Sequence, residues 1–526
     1  MSAPISPNVS LSTPRLLSAH IGAALTLFLA TTDSTIISTC LPTIAAQFSA
    51  TQIEYTWVGV SYMLTQTAFQ PLYGRLSDLI GRKPVLFGSM FIFVAGSILC
   101  GAANSMLWLV MARALAGVGG GGIVSLVWTI TSEIVEFQSR AKWSQALSIT
   151  WSCSAVAGPL LGGLFSGIYS SMFAIFGAKI HNFSLGQHGL LSWRWAFYLN
   201  LPVCLIAFVV LWISLRGVDV DYSHDVSWDQ FRQRFDFVGL LLFMAGSSSI
   251  IVGFSFASLF GWRSPVTLIL IIAGLIVLAI GSSYELKTHR DALFPPSAFR
   301  DMTTIIILII NFLHQFVFNI GTFYLALYFQ SVQGLSPIKA GLTMLPYSLG
   351  SSLASMPTAW FIGYWQRRTL NTSGQKLVVS VGLAISALGF GLMVLLDEKS
   401  IEALRSVFPL IAGLGLGMLF HTPYQIFTRT LKPKEIASGT SAFFLVRFTG
   451  ATVGLAMAGA LFHSRLFHLL PEGVDSNSLD LENVASFQPS DLRDDVIGAV
   501  AGAIQTIWTV CCPCLGLAFL ISFFMR

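Results

Sequence analysis

The chain has 526 residues, 54% of them hydrophobic and only 10% charged, with a net charge of +5. Soluble proteins carry about 25% charged residues, so this composition excludes a string of soluble domains and points to one polytopic membrane domain. The basic excess forms no stripe of the kind nucleic acid requires; it is the excess expected of loops flanking membrane spans.

Apolar runs of about 20 residues, enough to cross the hydrocarbon core, recur from end to end. They do not alternate as membrane strands would, so the spans are helices. Fourteen are expected, near 17–41, 54–73, 84–103, 106–130, 143–167, 194–215, 237–259, 265–284, 303–330, 339–362, 377–396, 404–427, 438–463 and 497–525. The first run is too long for a signal-peptide core and reads as a retained span behind a polar tail. With both termini cytoplasmic, 19 of the 29 Lys and Arg fall on the inside, 8 outside and 2 within spans. The positive-inside rule favours that orientation. It also places the acidic 464–496 loop outside.

Ionisable groups within spans are costly and are functional candidates by default. Asp33 lies mid-span in FLATTDSTIISTCLP, and Arg113 lies in the fourth span, in ARALAGVGGGG. Burial favours a neutral carboxyl and a nearby guanidinium an ionised one. That competition is what a proton-binding switch needs, although a static buried ion pair would leave the same trace. Between spans 2 and 3, GRLSDLIGRKP sets Gly74, Arg75, Asp78, Gly81, Arg82 and Lys83 in a tight cytoplasmic turn. In span 5, Gly158, Gly162 and Gly163 permit close helix approach and Pro159 a bend.

In span 9, Asn311, Gln315 and Asn319 recur every four residues with His314 beside them, on one helix face. Such a stripe either faces a cavity or bonds to a neighbouring helix. Span 12 carries His421, Tyr424 and Gln425 near its cytoplasmic end. Arg447, in span 13, has no carboxylate close by in sequence. The dipeptide Gly-Lys never occurs, so the P-loop phosphate cradle is absent. Seven irregularly spaced cysteines imply no disulfide framework. No metal or cofactor motif and no convergent catalytic cluster is found, so an enzyme is not expected.

These motifs together resemble the major facilitator superfamily, and within it the 14-span drug:proton antiporters. GRLSDLIGRKP resembles the superfamily's loop motif, and LATTDSTIISTCLPTIA the first-span motif around Asp33 and Pro42. RALAGVGGGG, AVAGPLLGG and WRWAFYLNLP, which runs from Trp193 to Pro202, resemble the fourth-span, fifth-span and a further signature. The chain departs from the pattern at Ala116, where a polar residue is usual, and in the extra segment 168–192. That segment is either an outer loop, with Asn182 matching a glycosylation acceptor, or a gene-model artefact.

The resemblance implies an all-α major facilitator fold of two six-helix bundles plus two extra helices. A tail (1–16) would precede an N-terminal bundle (17–215), a linker with helices 7 and 8 (216–302) and a C-terminal bundle (303–526). It implies proton-coupled antiport exporting drugs, toxins or secondary metabolites through a monomer in the plasma membrane, with protons and a small molecule as partners. Asp33 and Arg113 would couple the proton. Asn311, His314, Gln315, Asn319, Tyr424 and Gln425 would line the cavity, and the Gly74–Lys83 turn, with Asp78 and Arg82 at its centre, would tie the bundles together. The 41 phenylalanines suit an aromatic, amphiphilic substrate, and Asp33 a cationic one. The alternatives are a vacuolar transporter of basic amino acids and a transporter-like solute receptor.

Overall fold

Each of the fourteen apolar runs overlaps helical structure, the runs 194–215, 339–362 and 404–427 each as two helices, in the computed structural model. It describes residues 12–135, 140–176, 192–217, 235–285, 301–369, 373–431, 436–471 and 492–525, with a few single positions between these stretches. Asn182 and the centre of the 168–192 segment lie outside the described residues.

The helices are α1 (Thr13–Phe48), α2 (Gln52–Ile80), α3 (Arg82–Gly101), α4 (Met106–Ile134), α5 (Arg140–Phe176), α6 (Trp195–Tyr198), α7 (Asn200–Ser214), α8 (Phe237–Phe260) and α9 (Pro265–Glu285). Then follow α10 (Met302–Leu327), α11 (Pro337–Thr343), α12 (Leu345–Thr369), α13 (Ser373–Met393), α14 (Glu402–Met418), α15 (Thr422–Thr430), α16 (Ile436–Leu469) and α17 (Arg493–Ser522). Among the described residues, twelve helical stretches are long and apolar enough to cross a membrane. Of the fourteen, α2 and α12 fall outside that group, being long but more polar.

Local chemistry sets the boundaries. Thr51 and Glu54 close a reciprocal capping box at the start of α2, with Glu54 Oε2 accepting from Thr51 N at 2.9 Å. Gly81 separates α2 from α3 at φ 101°, a backbone conformation that glycine alone adopts freely. Span 12 is not one helix: α14 ends at Met418, and α15 restarts at Thr422 with Pro423 in its first turn.

α1 packs on α5 and α7, and α2 and α3 pack on α4; in the second half, α12 and α13 pack on α14, and α10 packs on α16. The halves meet where α2 lies against α16 and where α5 lies against α11 and α12. α8 and α9 form a hairpin, and α8 docks across the α2–α16 seam. α9 has the highest mean hydropathy of the twelve, 2.6, and only 17% of it is buried. A helix apolar all round and exposed belongs against lipid.

Candidate functional site

The first constellation lies inside the N-terminal half. Asp33, from the middle of α1, forms an ion pair with Arg113 Nη1 of α4. Asn200 Nδ2 of α7 donates to the other carboxylate oxygen at 2.8 Å and to Ser97 Oγ at 3.0 Å. The guanidinium also lies 4.3 Å from the centre of the Tyr62 ring, and the Tyr62 hydroxyl donates to Ala30 O at 3.0 Å. The side chains of Arg113 and Asp33 are 1% and 0% exposed. Both charges are thus out of solvent and neutralise one another. Asp33 is engaged on both oxygens, so the expectation that it would receive a cationic ligand loses its basis in this arrangement.

Glycines let the surrounding helices meet. A Cβ on Gly158 would strike Thr35 Oγ1, and one on Gly162 would strike Thr39 Oγ1, both on α1. Thr39 Oγ1 donates to Pro159 O at 3.0 Å. A Cβ on Gly163 would strike Pro337 O of α11, in the other half. The same stretch therefore seats α5 on α1 and closes the halves at the end of the molecule where α1 finishes.

In the charged turn, Arg82 pairs with Glu133 of α4 at 3.0 Å and donates from Nη1 to Ser77 Oγ at 2.7 Å and to Gly74 O at 3.4 Å. These three partners belong to the N-terminal half. The side chains of Arg75 and Asp78 lie outside the described residues, and Lys83 is half-buried.

The second constellation lies between the halves. Arg447 of α16 is 3% exposed. It stacks over the Trp151 ring of α5, 4.4 Å from the centroid, with Phe420 and Phe444 at 5.6 and 5.9 Å. Its Nη1 donates to Phe420 O at 3.3 Å, in the break between α14 and α15. With the Gln315 amide assigned oxygen-first, that oxygen accepts from Arg447 Nη2 at 2.7 Å and Nε at 3.0 Å. Among the described residues no carboxylate pairs with Arg447. Three charge-assisted contacts and a cation–π contact of about 2 kcal/mol ease burial, but they leave the charge itself uncompensated.

Trp128 of α4 extends this cluster, in edge contact with Tyr424 at 4.7 Å and stacked on His421 at 6.3 Å. Ser148 Oγ of α5 lies 2.8 Å from His421 Nδ1, and Ser125 Oγ of α4 lies 3.0 Å from Ser441 Oγ of α16. Residues of both halves thus line one buried, aromatic and partly polar layer.

The span 9 stripe divides between the two roles open to it. Asn311 Nδ2 donates to Phe443 O at 3.2 Å, and His314 Nε2 lies 3.0 Å from Leu416 O; both bond helix to helix. Gln315 faces Arg447, and Asn319 bonds back to Gln315 O at 3.1 Å. Tyr424 is in the aromatic layer, whereas Gln425 instead accepts from Gln375 Nε2 at 3.3 Å. Asn200, Glu133, Trp128, Trp151 and Phe444 were not singled out from sequence. Asn200 lies in the WRWAFYLNLP signature without standing out from it, and Glu133 is a lone acidic residue at the end of an apolar run. The aromatics are indistinguishable by composition from lipid-facing ones.

The Major Facilitator Superfamily profile matches residues 23–233 and 232–455. An uncharacterized MFS-type transporter of Schizosaccharomyces pombe is 32% identical over 524 residues, 99% of this chain and 83% of the relative. The efflux pump dotC of Dothistroma septosporum is 30% identical, covering 93% of this chain and 80% of the pump. The MFS-type transporter TwmF of Talaromyces wortmannii is 31% identical, covering 95% and 88%. Among solved structures, an inward-facing bacterial homologue of the human lysosomal transporter Spinster superposes with a TM-score of 0.62 at 16% identity, over 98% of both chains.

Proposed function

We propose that this chain, which belongs to the Major Facilitator Superfamily, is a proton-coupled antiporter that exports small organic molecules by alternating access. One observation carries the reading. Two buried arginines occupy different environments: Arg113 is neutralised by Asp33 within one half, while Arg447, between the halves, pairs with no carboxylate among the described residues. The first arrangement suits a proton and the second a substrate. The relatives named as efflux pumps support the outward direction.

Protonating Asp33 would cancel its attraction for Arg113 and strand a guanidinium in a site that is 1% exposed. Breaking a buried pair costs about 3–5 kcal/mol, so the proton cannot be taken up without a rearrangement of α1, α4 and α7. α1 also packs on α5, and α5 reaches α11 of the other half at Gly163. A shift driven by the proton is thereby passed to the contact that closes the outer end. Substrate would leave outward as the proton enters, the loss of the proton on the inner side restoring the pair.

In this reading the chain has fourteen spans and cytoplasmic termini, and works as a monomer in the plasma membrane. The glycine-rich Gly158–Gly163 stretch is a hinge, and the Gly74–Lys83 turn a cytoplasmic gate. The test is proton movement in reconstituted vesicles: substrate added to one side should release protons on that side. Substrate that crosses without any proton movement would overturn the coupling, and no flux at all would overturn transport.

A further inference from the structure

We infer that the layer between the halves receives an organic anion, an aromatic carboxylate whose charge Arg447 neutralises. The inference deepens the reading above, since it rests on that layer being the substrate site, but its evidence is separate.

The groups that face Arg447 come from each element packed around it. α5 supplies Trp151, α10 supplies Gln315, the break before α15 supplies Phe420, and α16 itself supplies Phe444. His421 lies within electrostatic reach. None of these is acidic. Asp33 and Glu133, carboxylates on α1 and α4, are committed elsewhere, to Arg113 and to Arg82. A cation held at this depth is costly unless paired, so a ligand that brings a negative charge gains what no described side chain provides. A cationic ligand would meet repulsion.

Two further buried atoms point the same way. Trp128 Nε1 and His421 Nε2 have no hydrogen-bond partner among the described residues. The indole N–H can only donate. When the Ser148 hydroxyl donates to His421 Nδ1, the tautomer that results leaves Nε2 as a donor too. The layer thus offers one charged fork and two neutral N–H groups, from both halves, and unpaired buried donors are rare enough to require an explanation. The surroundings are aromatic: Trp151 and Phe444 stack on each other with centroids 6.1 Å apart and planes within 7°. Aromatic neighbours favour an aromatic ligand, and a guanidinium fork matches a carboxylate with two parallel hydrogen bonds.

The test is equilibrium binding to the purified full chain, followed by tryptophan fluorescence, with three probes of equal shape: 1-naphthoate, 1-naphthamide and 1-naphthylmethylamine. The naphthoate should bind about tenfold or more tighter than either of the others, the change expected for one charge-assisted contact. Arg447→Gln should abolish the preference and Arg447→Lys keep part of it. Trp128→Phe, which keeps the ring and removes the N–H, should weaken naphthoate about three- to tenfold and leave the amine, which has no acceptor, unchanged. Equal binding of all three probes, tighter binding of the amine, or no saturable binding would overturn the inference, as would a preference that survives Arg447→Gln. Should Arg447→Gln fail to fold, the wild-type preference and Trp128→Phe decide. Binding needs no proton flux, so loss of antiport and loss of anion recognition are read separately.

Discussion

Removing both charges of the Asp33–Arg113 pair should cost well under the sum of removing each alone. In Asp33→Asn, Arg113 keeps its weaker contacts to Val58 O at 3.5 Å and to the backbone oxygen at position 33 at 3.4 Å, and its place over the Tyr62 ring. Those contacts put the cost at the lower end of the range for a broken buried pair, about 3 kcal/mol. Arg113→Gln leaves the carboxylate with Asn200 as its remaining side-chain donor, and a similar cost of about 3 kcal/mol is expected until the carboxyl takes up a proton. The double variant places two neutral amides in hydrogen-bond range and strands no charge. The two single losses would sum to about 6 kcal/mol, and the double variant should lose about 4 kcal/mol or less, a coupling of at least about 2 kcal/mol. Reversible unfolding in mixed detergent micelles measures all four corners of the cycle. Additivity within about 0.5 kcal/mol would refute the claim that the two charges neutralise each other.

Arg82→Gln breaks the ion pair to Glu133 and the bond to Ser77 and should cost about 2 kcal/mol; Glu133→Gln should move stability the same way, and equal stability of both to wild type would contradict the pairing. Gly163→Val should hold α5 away from α11, because the added Cβ meets the Pro337 carbonyl. Crosslinking between Thr39→Cys and Gln330→Cys, whose backbone and side chain approach to 3.5 Å in the parent, should then fall several-fold. Arg194→Ala removes a 2.7 Å bond to Ala103 O and the stacking on Trp193 at 4.4 Å, an expected loss of about 2–3 kcal/mol seen as a lower unfolding midpoint. Arg194→Lys should recover less than half of that loss.

The helices were legible because a twenty-residue apolar run has few other uses, and each expected span overlaps helical structure, although only twelve stretches among the described residues are long and apolar enough to cross a membrane. Asp33 and Arg113 were legible for a related reason, since charge in such a run stands out against its surroundings. The break at 419–421 was readable in Pro423 but hidden by the hydropathy of the whole stretch; it matters because it presents Phe420 O to Arg447. The partners of buried charges were not legible. Asn200 reaches Asp33 across 167 positions, and Glu133 reaches Arg82 across 51. Nor could sequence tell which aromatics turn inward. Trp128 and Trp151 are buried between the halves, while Trp212 is 57% exposed on α7, and all three sit within long apolar runs. The polar stripe of span 9 shows the same limit, since one helix face serves both a neighbouring helix through Asn311 and the inter-half layer through Gln315.

The most direct test of the account is efflux from vesicles that hold the reconstituted chain in one orientation, with substrate loaded on the cytoplasmic side. Acidifying the external side should accelerate efflux by the wild-type chain. Asp33→Asn should still exchange substrate for substrate at equal pH, yet lose the response to external acid. An Asp33→Asn variant that responds to the pH step as the wild type does would contradict the assignment of Asp33 as the proton acceptor, and with it the claim that the ion pair links the proton to the movement of the halves.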